Sequence, residues 1–250
     1  MSDISDELLL RYSRQILLPE IDVAGQEKLL DARVLVIGMG GLGSPAAVYL
    51  ASAGVGELVI CDHDVVDLSN LQRQIVHRQS SLGEAKVVSA KRTLQEINPH
   101  VRVVTVDRKL DSGELTELIG TADVVLDATD NFLARYAIND ACWATSTPLV
   151  SGAAIRWEGQ VAVFDARNPN APCYRCLYRE GDDEALNCSE NGVLGTVVGI
   201  IGTCQAMEAI KLITGAGELL VGSVLYFDGK RMEWRKLRLP QDPNCPTCGI

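Results

Sequence analysis

The residues best placed to do chemistry fall into two sets, one built on glycine with charged side chains and one built on cysteine. Val34-Leu35-Val36-Ile37 reads as a strand buried on both faces, and Gly38-Met39-Gly40-Gly41-Leu42-Gly43 follows it directly. Glycines at such a turn let the backbone approach phosphates, and the N-terminus of the next helix offers free N–H donors. A second apolar run, Leu58 to Cys61, ends at Asp62, about 20 positions past the turn, where a ribose-binding acid is expected. Strand, glycine turn, helix, strand and acid together predict a nucleotide. Beyond Asp62 lies a polar loop with Asn70, Gln72 and Arg73, and Lys86 opens a further helix. Arginine supplies a fixed fork of donors and lysine a mobile charge, both suited to phosphate oxygens. Asp130 follows another strand, and a carboxylate beside phosphates suits Mg²⁺; the same position also suits a helix N-cap. A dehydrogenase usually passes from its acid straight into a short helix, so the long polar loop favours ATP over a dinucleotide.

The second set is Cys173-x-x-Cys176 with Cys245-x-x-Cys248. Two such pairs predict a tetrahedral four-thiolate zinc site, closed to substrate and therefore structural. It would tie the end of the chain to its middle. Cys188 stands alone among acidic residues. A loop thiol could carry an acyl or sulfur group, but neighbouring carboxylates raise a thiol's pKa and blunt it, so an inert thiol is the expectation. Cys61, Cys142 and Cys204 lie in apolar runs and read as core. His63, His77 and His100 are not grouped with other ligands and are assigned no chemistry.

A net charge of −10 over 250 residues argues against broad nucleic-acid binding, which needs a basic face. The acidic start, Met1 to Asp6, is no signal peptide. Val193 to Met207 is uncharged and contains Gly195-x-x-x-Gly199, yet it is shorter than the ~20 residues that span a bilayer. It reads as a glycine-notched core helix. No membrane association is expected, the location is cytoplasmic, and the eight cysteines are thiols or metal ligands rather than disulfides.

The elements that must position these residues alternate. Helices are expected over Asp6–Leu18, Gly25–Leu30, Ser44–Ala53 (ended by Gly54), Gly83–Ile97, Asp111–Gly120 and Leu133–Ala144. Strands are expected over Val101–Val106, Ala122–Asp127 and Pro148–Ser151. This predicts an α/β fold with a doubly wound, mostly parallel, Rossmann-like sheet. After residue 155 the pattern changes: a strand at Gln160–Phe164, an acidic loop at Glu180–Asn191, a helix at Thr196–Thr214, then a hairpin of antiparallel strands at Ser223–Gly229 and Met232–Leu239. We read a single domain over 1–250, with an N-terminal helical segment (1–30), a nucleotide-binding core (31–155) and a zinc-bearing, carrier-binding part (156–250).

Arg11-Tyr12-Ser13-Arg14-Gln15, the glycine turn, Ser69-Asn70-Leu71-Gln72-Arg73-Gln74, Asp127-Ala128-Thr129-Asp130-Asn131, Cys173-Tyr174-Arg175-Cys176 and the final Cys-Pro-Thr-Cys-Gly closely resemble the MoeB/ThiF family of adenylating enzymes, relatives of ubiquitin-activating enzymes. The resemblance covers nearly the whole chain. It implies ATP-dependent adenylation of the C-terminal Gly-Gly carboxylate of a small ubiquitin-fold sulfur carrier, with release of pyrophosphate. A separate sulfurtransferase would then form the thiocarboxylate; the chain closes at Cys-Gly-Ile without a rhodanese-like domain, so it is not expected to transfer sulfur itself. By the same resemblance, Gly41 lies on the phosphates and Asp62 on the ribose. Asn70, Arg73 and Lys86 bind phosphate, and Asp130 holds Mg²⁺. Gly38, Gly40, Gly43, Ser69, Leu71, Gln72 and Asn131 complete the nucleotide site. Arg14 reaches into the partner's site, which implies a homodimer. Ser151 to Gln160 resembles the branch that activates MoaD for molybdopterin synthesis. Phe227-Asp228-Gly229-Lys230 and Trp234 resemble the branch that activates ThiS for thiazole synthesis. The balance favours MoaD. From other classes, an NAD-dependent oxidoreductase and a non-catalytic carrier-binding scaffold are the alternatives.

Overall fold

The computed structural model describes residues 4–179 and 192–249. Its frame is one eight-stranded sheet in the order β3-β2-β1-β4-β5-β6-β7-β8. The strands are β1 (Arg33–Ile37), β2 (Glu57–Cys61), β3 (Arg102–Val106), β4 (Val124–Asp127), β5 (Leu149–Ile155), β6 (Glu158–Phe164), β7 (Ser223–Asp228) and β8 (Glu233–Arg238). The first five run parallel, and β6 to β8 continue the same sheet antiparallel. The expected doubly wound sheet with an antiparallel extension is what forms.

The helices among the described residues are α1 (Asp6–Arg11), α2 (Ser13–Ile16), α3 (Asp22–Asp31), α4 (Gly43–Ala53), α5 (Lys86–Ile97), α6 (Ser112–Ile119), α7 (Phe132–Thr145), α8 (Tyr174–Leu177) and α9 (Gly195–Thr214). They cover both faces of the sheet, because successive strand side chains point to opposite sides. Val34, Val36, Leu58 and Ile60 pack with Leu29, Leu50, Leu94 and Ala206 from α3, α4, α5 and α9. Leu35, Val59 and Val125 pack on the other side with Ile119, Ile138 and Tyr174 from α6, α7 and α8. Central strands covered on both sides read as continuous apolar runs.

Four local details differ from the sequence reading. The N-terminal helix is broken at Tyr12 (φ −99°, ψ 10°). Tyr12 is buried, and its hydroxyl accepts from Asn98 Nδ2 at 2.9 Å, a contact between distant parts of the chain that overrides helix continuity. The fifth helix starts at Lys86 rather than Gly83, because Gly83 is left-handed (φ +80°). Strand β5 runs on to Ile155 and turns into β6 through Arg156 and Trp157. On α9, a Cβ at Gly195 or Gly202 would collide with the carbonyl of Gln72 or Leu42, whereas Gly199 faces open space. The glycine notch is therefore at 195 and 202. The helix itself ends at Thr214, as expected, and spans 20 residues. It holds to the protein through polar groups: Gln205 Nε2 donates to the carbonyls of Asp127 (2.7 Å) and Val150 (3.1 Å), and buried Glu208 accepts from the Leu220 N–H at 3.0 Å.

Candidate active site and cysteine cluster

Strand order reverses between β1 and β4, and crevices for ligands open beyond the carboxyl ends of strands at that point. Here the crevice is a cleft of about 730 Å³ lined by Gly38, Gly40, Gly41, Asp62, Asp64, Arg73, Lys86, Asp130 and Asn131 among others. Gly38 has φ +96°, and a Cβ there would stand 2.7 Å from the Ala128 carbonyl oxygen, so only glycine lets the turn pass β4. Gly43 opens α4 against Gly38, with no room for a side chain. Its role is packing of the turn rather than lining of the cleft.

Asp62 ends β2. Its Oδ2 accepts from the Met39 N–H at 2.7 Å and its Oδ1 from the Asp64 N–H at 2.9 Å. Lys86 is buried, and its Nζ lies 2.8 Å from Asp64 Oδ2 and 3.9 Å from Asp62 Oδ2. The hydrogen bond from Lys86 holds the Asp64 carboxyl below the usual range, ahead of the smaller charge effects of Lys86, His63 and Lys109. A buried ammonium without a nearby anion is costly, so these carboxylates keep a cation in the cleft before any ligand arrives. Arg73 lines the same cleft, steadied by donation to the Ser69 carbonyl at 2.9 Å.

The other members of the 69–72 segment lie outside the cleft lining. Asp67 and Asn70 form a capping box around a single 3₁₀ turn, which carries Arg73 at its end. Asn131, not Asp130, caps α7: its Oδ1 accepts from the Ala134 N–H at 2.9 Å. This leaves the exposed Asp130 carboxylate on the cleft wall. Arg14 is exposed on α2 and is not part of this chain's own cleft lining.

The cleft lining also holds charged and polar residues that escaped the sequence reading: Asp64, Arg108, Lys109, Gln74 and Arg135. Gln74 is buried, with its side-chain oxygen unpartnered among the described residues. Arg135 is buried on α7, its Nε 4.0 Å from Asp127 Oδ2 and its Nη2 donating to the Thr129 carbonyl at 2.8 Å. A charged residue between Phe132 and Tyr136 on the apolar stripe of a helix was the available signal. Asp127 is itself saturated, accepting from Thr129 Oγ1 at 2.7 Å and Ser151 Oγ at 2.9 Å. It shapes the wall and does not face a ligand.

Further along α7, beside Asp140 and Trp143, the paired cysteines meet. The Sγ atoms of Cys173, Cys176, Cys245 and Cys248 all lie within 4.8 Å of one another. Cys173–Cys245 is 3.5 Å and Cys176–Cys248 is 3.3 Å. Thiolates on a tetrahedral zinc, with Zn–S ~2.3 Å, stand ~3.8 Å apart, so the donor set and spacing fit that ion. Asp140 on α7 fastens both cysteine loops. It accepts from Arg175 Nε at 3.0 Å and Nη2 at 2.8 Å, and from Thr247 Oγ1 at 2.7 Å. Cys61 and Cys142 are buried core residues, and burial pushes the Cys61 thiol up to about 12, helped by Asp62. Cys204 is half-buried against the core. Cys188 and the acidic segment 180–191 lie outside the described residues.

Comparison with known proteins agrees with this geometry. A family model described as the ThiF family matches residues 12–247. The molybdopterin-synthase adenylyltransferase of Escherichia coli K12 is 48% identical over 249 residues, 100% of both chains. The sulfur carrier protein ThiS adenylyltransferase of the same organism is 46% identical, over 98% of this chain and 97% of its own. The adenylyltransferase and sulfurtransferase MOCS3 of Anopheles gambiae is 44% identical over 99% of this chain but only 56% of its own length. Among solved structures, E. coli MccB with ATP superposes with a TM-score of 0.84 at 23% identity, over 96% of this chain and 73% of that one; it shows the same fold. With a family model across almost its whole length and full-length relatives near half identity, the chain belongs to the ThiF family.

Proposed function

We propose that this protein adenylates the C-terminal Gly-Gly carboxylate of a small ubiquitin-fold sulfur carrier, using ATP and releasing pyrophosphate. The observation that carries the reading is the convergence of the glycine turn, Arg73, Lys86 and Asp130 on one cleft in a chain 48% identical to a molybdopterin-synthase adenylyltransferase. A carrier carboxylate oxygen attacks the α-phosphorus. The bond to the bridging oxygen breaks, and pyrophosphate leaves with the electron pair. The carboxylate is already ionised at neutral pH, so no general base is needed. Negative charge gathers on the phosphoryl oxygens, and fixed cations in a sheltered cleft stabilise it.

In this reading Gly38, Gly40 and Gly41 face the phosphates, and Asp62 binds the ribose. Arg73 and Lys86 hold the phosphates, while Ser69, Asn70, Leu71 and Gln72 form the turn that aims Arg73. Asp130, beside Asn131, would hold Mg²⁺, which neutralises phosphate charge. Arg14, exposed and away from its own cleft, acts in the partner's site of a homodimer. The four cysteines hold a structural zinc. The enzyme works in the cytoplasm with a separate sulfurtransferase.

The carrier would dock on the antiparallel end of the sheet. There β8 is exposed along its whole length, Trp234 is half-covered by stacking on Phe227 at 4.6 Å, and Lys230, Arg231, Arg235, Lys236 and Arg238 make a basic strip in an otherwise acidic chain. A Gly-Gly tail lacks side chains, so selection among carriers rests on this face and its few buried anchors. ATP–pyrophosphate exchange measured with purified MoaD and ThiS tests the reading. Carrier-dependent exchange, stronger with MoaD and measurable with ThiS, is expected. A tenfold preference for ThiS would reassign the carrier, and no exchange with either, against hydride transfer from NADH, would end the proposal.

A further inference from the structure

The peptide groups of Met39 are held from both sides. Its N–H donates to Asp62 Oδ2 at 2.7 Å, and its carbonyl oxygen lies 3.0 Å from His77 Nε2. A carbonyl only accepts, so Nε2 carries the proton. His77 Nδ1 lies 3.0 Å from Ser89 Oγ, and on the neutral ring the serine hydroxyl must donate. Ser89 sits on α5, one turn after Lys86. All of these groups are buried: Met39 and Ser89 are 0% and 1% exposed, His77 4%. Burial also holds the imidazole below its ordinary pKa, against the raising effect of its bond to the Met39 carbonyl.

From this geometry we infer that His77 is a positioning residue for nucleotide binding, one imidazole that joins the glycine turn to the helix carrying Lys86. Holding the Met39 carbonyl back toward His77 keeps an acceptor away from the phosphate side of the turn. The Gly40 and Gly41 backbone, which lines the cleft, is then fixed relative to Lys86 before ATP arrives. Preorganised donors cost no reorganisation on binding. His77 is not part of the cleft lining, so it acts through the turn and not by touching the ligand. The inference rests on the proposed nucleotide site.

The test compares wild type, His77→Leu and His77→Gln by ATP binding in calorimetry and by pyrophosphate exchange. Glutamine can place an amide N–H near the Nε2 position, while leucine only fills the space. The leucine variant is expected to weaken ATP binding and raise KM for ATP about tenfold, with KM for the carrier unchanged. The glutamine variant should recover most of this. A residue that only supports folding would lower the active fraction, and so kcat, with ATP binding per folded molecule unchanged; that result, or failure of glutamine to rescue a folded protein, overturns the inference. Wild-type protein that binds no ATP would instead refute the nucleotide site itself. Should His77→Leu fail to fold, Ser89→Ala and His77→Asn, the latter too short to reach Met39, carry the comparison: each is expected to weaken ATP binding, and wild-type ATP affinity in either folded variant overturns the bridge.

Discussion

The cleft draws on the first half of α7 and the cysteine cluster is fastened to its second half, and the two solve opposite problems. In the cluster, four like groups converge and the surrounding polar groups close around them: Asp140 ties Arg175 and Thr247 together, and the Asp242 N–H points at Cys176 Sγ at 3.4 Å. In the cleft, unlike charges are held near one another but not exhausted. Lys86 leans on Asp64, which is more than half exposed, and Asp130 is left open by the cap that Asn131 provides. A site that must hold something permanently is saturated, whereas one that must exchange a ligand keeps weak or vacant partners. Stability should therefore respond chiefly to the cluster and turnover chiefly to the cleft.

The largest expected effect is on the cluster. Native protein should contain one zinc per chain by elemental analysis, and Cys245→Ser should lower it. Structural zinc contributes several kcal/mol to folding, which in a chain of this size corresponds to a fall in Tm of roughly 10 °C or more. Metal-free native protein with an unchanged Tm would erase the contrast between the two regions.

The next effect is on the cleft. Lys86→Ala should reduce carrier-dependent pyrophosphate exchange by ~10²-fold or more, the scale of losing one preorganised transition-state donor, while zinc content stays at wild type. Near-normal exchange in that variant would remove Lys86 from the machinery and with it the reading of the cleft as a phosphate site.

Much of both regions was legible in the amino-acid order, for different reasons. The strands announce themselves as apolar runs because they are covered on both faces, and Gly38 and the cysteine pairs are local patterns whose geometry follows from residue type. What sequence did not show are contacts that close over long separations. Tyr12 breaks the first helix because Asn98 lies beside it in space. His77 looked like an isolated histidine because its partners, Met39 and Ser89, belong to different elements. Asp130 and Asn131 compete for one capping role, and only the backbone angles at Asn131 (φ −134°, ψ 146°) decide it. Gly199 satisfied a pattern whose close contacts fall at Gly195 and Gly202.

The smallest expected effect separates how the cluster is framed from how its metal is held. Asp140 binds both cysteine loops without being a ligand. Although burial acts to raise its pKa, hydrogen bonds from Arg175, Thr247 and Asn139 outweigh that and hold it below the usual aspartate value. A carboxylate depressed on folding contributes stability that is fully present above its unfolded value, ~3.9, and is lost as pH falls through the lower folded value. Asp140→Asn should therefore be less stable than wild type near neutrality, by roughly 1 kcal/mol because the side chain is 42% exposed and solvent screens it. The gap should close on acidification below about pH 4. Protonation of the cysteine thiols on acidification is common to both proteins and cancels in the difference. Thermal unfolding of the pair measured across pH 3–7 checks this. A gap independent of pH would mean that Asp140 matters for its shape and hydrogen-bonding oxygens alone, and that the loops around the cysteines are framed without its charge.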